Sequence, residues 1–203
     1  LAQSPNGDPG AEIFATHCAI CHGAAGRGDG PTARFLNPRP RDFTHGIYKL
    51  RSTTSGDLPT DDDLRRTIRF GIAGTAMRGF AFNPNDENAI LNYLKSFSSR
   101  FCTEEPGVSL LIGAEPEWDQ GCADRGRKVY KTMRCAECHG EGGIGDGPAA
   151  ATMVDDRGAR IHAYNMTRAY LMKGGFRPID VYRTFQTGLD GTPMPSYQGQ
   201  LSD

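Results

Sequence analysis

Two copies of one five-residue pattern constrain this chain more than anything else in it. Cys18-Ala19-Ile20-Cys21-His22 and Cys135-Ala136-Glu137-Cys138-His139 each set two thiols one helical turn apart with an imidazole directly behind them. The repetition continues in register. From His22 follow Gly23, Gly26, Gly28, Asp29, Gly30 and Pro31; from His139 follow Gly140, Gly143, Gly145, Asp146, Gly147 and Pro148. Further on, Arg66-Thr67 matches Arg183-Thr184, Gly71 matches Gly188, and Gly74-Thr75-Ala76-Met77 matches Gly191-Thr192-Pro193-Met194. Met77 stands as far from Cys18 as Met194 does from Cys135. The chain is therefore built from two equivalent modules.

Cys-x-x-Cys-His is the attachment signature of c-type haem: each thiol can add to one vinyl group, and the His is placed to ligate the iron. A zinc ribbon would bring two Cys-x-x-Cys pairs within about 15–20 residues of each other. Here the pairs are far apart and each carries its own His. Two covalent c-type haems, one per module, are the expected cofactors.

With Cys-x-x-Cys-His near the start of each module, Gly-Pro shortly after it and a Met in a later Gly-rich loop, each half resembles a class I cytochrome c domain. The resemblance covers nearly all of the chain outside the stretch between the modules. It implies an all-α fold of two tandem small domains, each a few helices and long loops around one haem. It also implies axial pairs His22 with Met77 and His139 with Met194, and a Gly-Pro carbonyl, at Pro31 and Pro148, that accepts a hydrogen bond from the ligating His.

Independently of the family, a thioether is a soft ligand, and His/Met ligation favours ferrous haem and raises its potential. With both axial positions filled, such a haem suits one-electron cycling. Met77 and Met194 are candidates because both close Gly-x-x-Gly-Thr-x-Met. Met133, Met153, Met166 and Met172 read as packing residues. His17, directly before Cys18, is awkwardly placed for the same iron, and His45 and His162 read as loop histidines.

The domain boundaries expected are 1–99, 100–125 for a linker, and 126–203. A helix should run from about Ala11 into Cys18 with Ile13 and Phe14 on its buried side, and its counterpart should start near Gly126 with Val129 and Tyr130. Thr60-Asp61-Asp62-Asp63 has capping-box spacing ahead of Leu64, Ile68 and Phe70, with Gly71 as the stop. Pro178 after Arg177 opens the equivalent helix. Asn83-Pro84 opens another, with Ile90, Leu91, Leu94 and Phe97 on one face. In the linker, Cys102 and Cys122 are expected to form a disulfide. Module two has only nine residues after Met194; Ser202 and Asp203 read as a helix start, so a terminal helix is expected either from a continuing polypeptide or from a partner subunit.

Composition limits the function classes. A formal net charge of -1 gives no basic surface for nucleic acid. No apolar run is long enough to span a membrane. Residues 1–10 lack the basic start and apolar stretch of a signal peptide, as in a mature chain whose export signal is gone. The leading expectation is a dihaem electron-transfer protein, or such a subunit, in the periplasm or another extracytoplasmic space. Its partners would be redox proteins, or a membrane-bound or multi-subunit redox complex. The competing class is a dihaem enzyme, a peroxidase or sulfur-compound oxidase, in which one haem opens to substrate; a Met at the same place in both modules argues against it.

Overall fold

The computed structural model describes residues 7–105, 107–114 and 117–201. Ser202 and Asp203, the expected helix start, lie outside the described residues. Those described form helices joined by long loops, with isolated bridges but no β-strand among them. They divide into two compact units, Leu1–Leu110 and Leu111–Asp203.

Module one begins with α1 (Pro9–His17), capped by Asp8, whose carboxylate accepts from the Gly10 and Ala11 amides. After α2 (Ala19–His22) and a 3-10 turn at Ala33–Phe35 comes α3 (Asp61–Phe70), opened by the capping box expected at Thr60 and Asp63. Gly71, at φ +67°, ends it, a backbone state that glycine adopts without Cβ strain. Then follow α4 (Pro84–Ser96), capped by Asn83 with proline in its first turn, and a short α5 (Arg100–Thr103).

The core of this module is apolar and continuous. Phe14, 1% exposed, lies with Leu64, Ile68, Ile90, Leu91, Leu94, Phe43 and Tyr48. Its ring meets Tyr93 and Phe97 at centroid distances of 5.5 and 4.9 Å. Gly10 makes the α1–α4 contact possible: a Cβ there would stand 2.3 Å from the Ala89 carbonyl oxygen. Glu87, buried in the first turn of α4, accepts a paired hydrogen bond from Arg69 at 2.5 and 2.7 Å, which compensates a carboxylate that burial would otherwise penalise.

The expected linker is divided between the units rather than standing apart. Leu110 donates its amide to the Ser52 carbonyl at 2.8 Å, and Ser109 pairs with Thr53, so the chain up to Leu110 packs on module one. Its far end opens α6 (Cys122–Thr132), which starts four residues before Gly126. Cys102 and Cys122, the pair expected to form a disulfide, fall in different units. Cys102 lies exposed on α5. Cys122, the first residue of α6, is engaged inside its own unit, where its sulfur accepts from the Asp119 amide at 3.3 Å and from Arg125 at 3.1 Å.

Module two continues with α7 (Ala136–His139) and α8 (Pro178–Thr187), the latter opened by Pro178 and ended by Gly188 at φ +66°. Between α6 and the thiol pair, Arg134 sits at φ +58°. Three residues separate Phe14 of Gly10-x-x-x-Phe14 from Cys18, whereas four separate Tyr130 of Gly126-x-x-x-Tyr130 from Cys135; Arg134 takes up the extra residue in a tight left-handed turn. In this module no apolar side chain among the described residues is buried. Val129 is 44% exposed, and Tyr130 is fixed by its hydroxyl, which donates to the Gly140 carbonyl at 2.6 Å. The buried side chains are polar instead. Burial would raise the Asp180 carboxyl, but Arg177 and Arg183, at 3.0 and 2.9 Å, hold it below the usual carboxylate range.

The contrast between Phe14 and Tyr130 is measurable. Phe14→Ala is expected to cost module one roughly 3–5 kcal/mol, the usual range for emptying a buried ring site. Tyr130→Ala should cost about 1 kcal/mol, mainly its hydrogen bond. Urea unfolding followed by circular dichroism checks both; equal losses would contradict the difference in packing described here.

The thiol and imidazole clusters

In each module a single turn of helix presents the whole cluster. Cys18 caps α2, with Cys21 and His22 in its turn; Cys135 caps α7, with Cys138 and His139 in its turn. The Gly-rich segment that follows folds back to close this turn. Gly28 donates to His22 O and Gly30 to Cys21 O, and Gly145 and Gly147 repeat these bonds to His139 O and Cys138 O. The approach is too close for a side chain: a Cβ at Gly30 would meet the Ile20 carbonyl at 2.5 Å, and one at Gly147 the Glu137 carbonyl at 2.3 Å. These glycines recur in the sequence because the return strand of the loop lies directly on the helix backbone.

The imidazoles are oriented from behind. His22 Nδ1–H donates to the Arg41 carbonyl at 3.0 Å, and His139 Nδ1–H donates to the Tyr164 carbonyl at 3.0 Å. This fixes the tautomer with the proton on Nδ1 and makes Nε2 the ring nitrogen that can ligate a metal. The acceptor differs from the Gly-Pro carbonyl expected from the family resemblance. Pro31 and Pro148 are exposed at the loop surface, because the closing glycine bonds turn the loop back before the proline. Residues 41–44 and 164–167 supply the carbonyls through matching turns: Asp42 accepts from Thr44, and Asn165 from Thr167, through both amide and hydroxyl. Phe43 donates its amide to Gly26 O, and Met166 does so to Gly143 O. Met166 is therefore the counterpart of Phe43, whose ring stacks on His22 at 4.4 Å. The similarity of these segments is visible in the sequence, but nothing there shows that their carbonyls reach the histidines.

Met77 and Met194 are held by the same loop built twice. Ile72 donates to Met77 O, the Thr75 hydroxyl donates to Ile72 O, and Thr75 Oγ1 accepts from Met77 N; Leu189, Thr192 and Met194 repeat all three bonds. The loops differ at three inner positions, where Leu189, Asp190 and Pro193 replace Ile72, Ala73 and Ala76. Both methionines are half-buried. The remaining histidines stay outside: His17, His45 and His162 are exposed, with His17 resting against Phe80 and Phe82.

The residues present fit a covalent haem. Burial, and then the adjacent Cys21, push the Cys18 thiol up to about 11, and burial raises Cys135 as well, so unattached thiols stay neutral at neutral pH. Among the described residues no three His, Cys, Asp or Glu side chains gather as a metal cluster. In module one the buried Tyr48 hydroxyl has no hydrogen-bond partner, and Arg51, 3% exposed, donates from Nη1 to the Tyr48 backbone carbonyl at 3.2 Å. A buried hydroxyl left unpaired costs about 1–3 kcal/mol, and the carboxylates of a haem supply the acceptor it lacks.

Comparison with known proteins agrees. The family model described as cytochrome c matches residues 7–98 and again 123–203. The chain is 26% identical over 196 residues to the Cbb3-type cytochrome c oxidase subunit FixP of Azorhizobium caulinodans, covering 95% of this chain and 54% of that protein. It is also 26% identical over 200 residues to subunit CcoP of Azospirillum brasilense, covering 96% and 56%. The chain thus spans about half the length of these curated relatives. A chain of the Kuenenia stuttgartiensis reducing HAO-like protein complex Kustc0457/Kustc0458 superposes with a TM-score of 0.93 at 40% identity, over 99% of this chain and 93% of that one. With two thiol-imidazole turns built alike and a family match to each, the chain belongs to the cytochrome c family as two tandem domains carrying two covalent c-type haems.

Proposed function

We propose that the protein is an electron-transfer subunit of a multi-subunit redox complex outside the cytoplasm, with His22/Met77 and His139/Met194 as the axial ligand pairs. The observation that carries this reading is the duplicated methionine loop, in which three hydrogen bonds hold Met77 and Met194 alike. A thioether fixed by its own backbone bonds suits a ligand retained in both oxidation states. Bound haem supplies the one-electron couple. The chain's own residues orient the imidazole through Arg41 O and Tyr164 O and present the methionine from a closed loop. The Cbb3-type oxidase subunits and the Kuenenia complex support assembly with other redox subunits. The two cysteines outside the haem turns, Cys102 and Cys122, suit export to an oxidising compartment.

Two measurements test the assignment. After acid-acetone extraction, a pyridine haemochrome assay should find two haems retained per chain; recovery of free haem would overturn covalent attachment. Met77→Ala and Met194→Ala should each remove one Met-to-iron charge-transfer band and lower one of two midpoint potentials, leaving the other haem unchanged. Survival of both bands would remove these ligands. Wild-type protein in which one ferric haem is high-spin and binds peroxide would favour the dihaem-enzyme reading instead.

A further inference from the structure

Building on the electron-transfer reading, we propose that module one docks an acidic redox protein on an exposed strip that crosses its thiol turn, with Arg34 at one end and Arg78 at the other. The middle of the strip is α2. Cys18, Cys21 and His22 share one side of that turn, which places Ile20 on the opposite side, 52% exposed. His17, also exposed, lies three residues earlier on the same face, because Cys18 between them keeps a helical backbone. From His17 the strip runs on through Phe82 and Phe80, at ring distances of 5.6 and 5.8 Å. It ends at Arg78, whose guanidinium lies 4.9 Å from the centre of the Phe80 ring. On the other flank Thr32 reaches α2, donating its hydroxyl to the Ile20 carbonyl at 2.8 Å. The 3-10 turn that follows buries Ala33 and leaves Arg34 and Phe35 outside, with the guanidinium 4.6 Å from the centre of a ring that is 73% exposed.

This surface matches an occupant of opposite charge. Among the described residues neither Arg34 nor Arg78 makes an ion pair; each lies over an aromatic ring instead. A guanidinium held in that way keeps its hydrogen-bond donors for a carboxylate. Ile20 and Phe35 supply the apolar centre, and the two arginines the charged ends, of a small transient interface. Module two serves as an internal control. At the positions of Ile20, Arg34, Phe35 and Arg78 it has Glu137, Ala151, Thr152 and Pro195, and Glu137 is already paired with Arg134. The haem turn is thus built equally well without these residues, so folding does not account for them. An anionic bilayer is the weaker fit, because its recognition takes clusters of about four to eight basic residues, and this strip offers two arginines.

The probe is reduced flavodoxin, a small acidic one-electron donor, mixed by stopped flow with the oxidised holoprotein. Each encounter moves one electron from flavin hydroquinone to ferric haem, leaving a semiquinone and a ferrous haem. Reduction is expected to slow at least tenfold from low to physiological ionic strength. At low ionic strength Arg34→Glu, Arg78→Glu and Ile20→Glu should each slow it at least threefold and flatten the salt dependence. Ala151→Glu combined with Thr152→Glu changes the net charge as much as Arg34→Glu does, on the matching turn of module two, and should leave the rate within twofold of wild type. Helicity and both haem spectra should be intact in every variant. A rate indifferent to the module-one substitutions, or lost equally in the module-two pair, overturns the docking surface. So does sedimentation with phosphatidylglycerol vesicles that Arg34→Glu abolishes, which would assign the strip to lipid. Hexaammineruthenium(II), a small cationic donor, separates this failure from that of the underlying reading. Haems that it reduces quickly while flavodoxin shows no module-one effect refute the docking surface alone; haems that neither donor reduces refute the electron-transfer reading.

Discussion

A 3.0 Å hydrogen bond from an imidazole Nδ1–H to a backbone carbonyl, made once in each module, is the contact around which the rest is arranged. It crosses from the end of a thiol-bearing helical turn to a loop some twenty residues on, and it decides which ring nitrogen is left for a metal. For the bond to form, the Gly-rich segment must fold flat against the helix, which accounts for glycine at positions where a Cβ would lie within about 2.5 Å of a carbonyl. The matching turns at 41–44 and 164–167 then hold the acceptor in place. Thiols, imidazole and closing loop form one small unit whose parts depend on each other.

The two modules share this unit and differ in what surrounds it. Module one encloses its thiol turn with α1, α3 and α4 and an apolar core centred on Phe14. Module two has the thiol turn, α8 and the methionine loop, but its buried side chains are Asp180, Gln186 and Thr187. A small domain with so little apolar burial depends on its cofactor for cohesion.

Much of this was legible in the residues. Cys18-x-x-Cys21-His22 and its repeat declare the cofactor, Thr60 with Asp63 and Asn83 with Pro84 mark helix starts, and Gly71 marks a stop; each is a local rule with a local cause. What was not legible depends on non-local contacts. The carbonyls of Arg41 and Tyr164 carry no side-chain signal, so the Gly-Pro carbonyl stood in for them. Phe43 and Met166 are unlike residues in like places, recognisable only from the amide bonds to Gly26 and Gly143. The boundary near Ser99 missed the return of residues 107–110 onto Ser52 and Thr53.

Arg134 shows how the duplicated halves could diverge without losing their common site. One residue added to an uninterrupted α-helix would turn everything before it by about 100°, carrying Gly126 and Tyr130 to another face. By leaving the helical conformation at a single position, the chain absorbs the addition locally, at a cost of about 1–2 kcal/mol for a non-glycine residue in the left-handed region. The junction between the leading helix and the thiol turn thus works as a register buffer: one residue more is accommodated there while the face of α6 that carries Gly126 and Tyr130 keeps its orientation to the thiol turn.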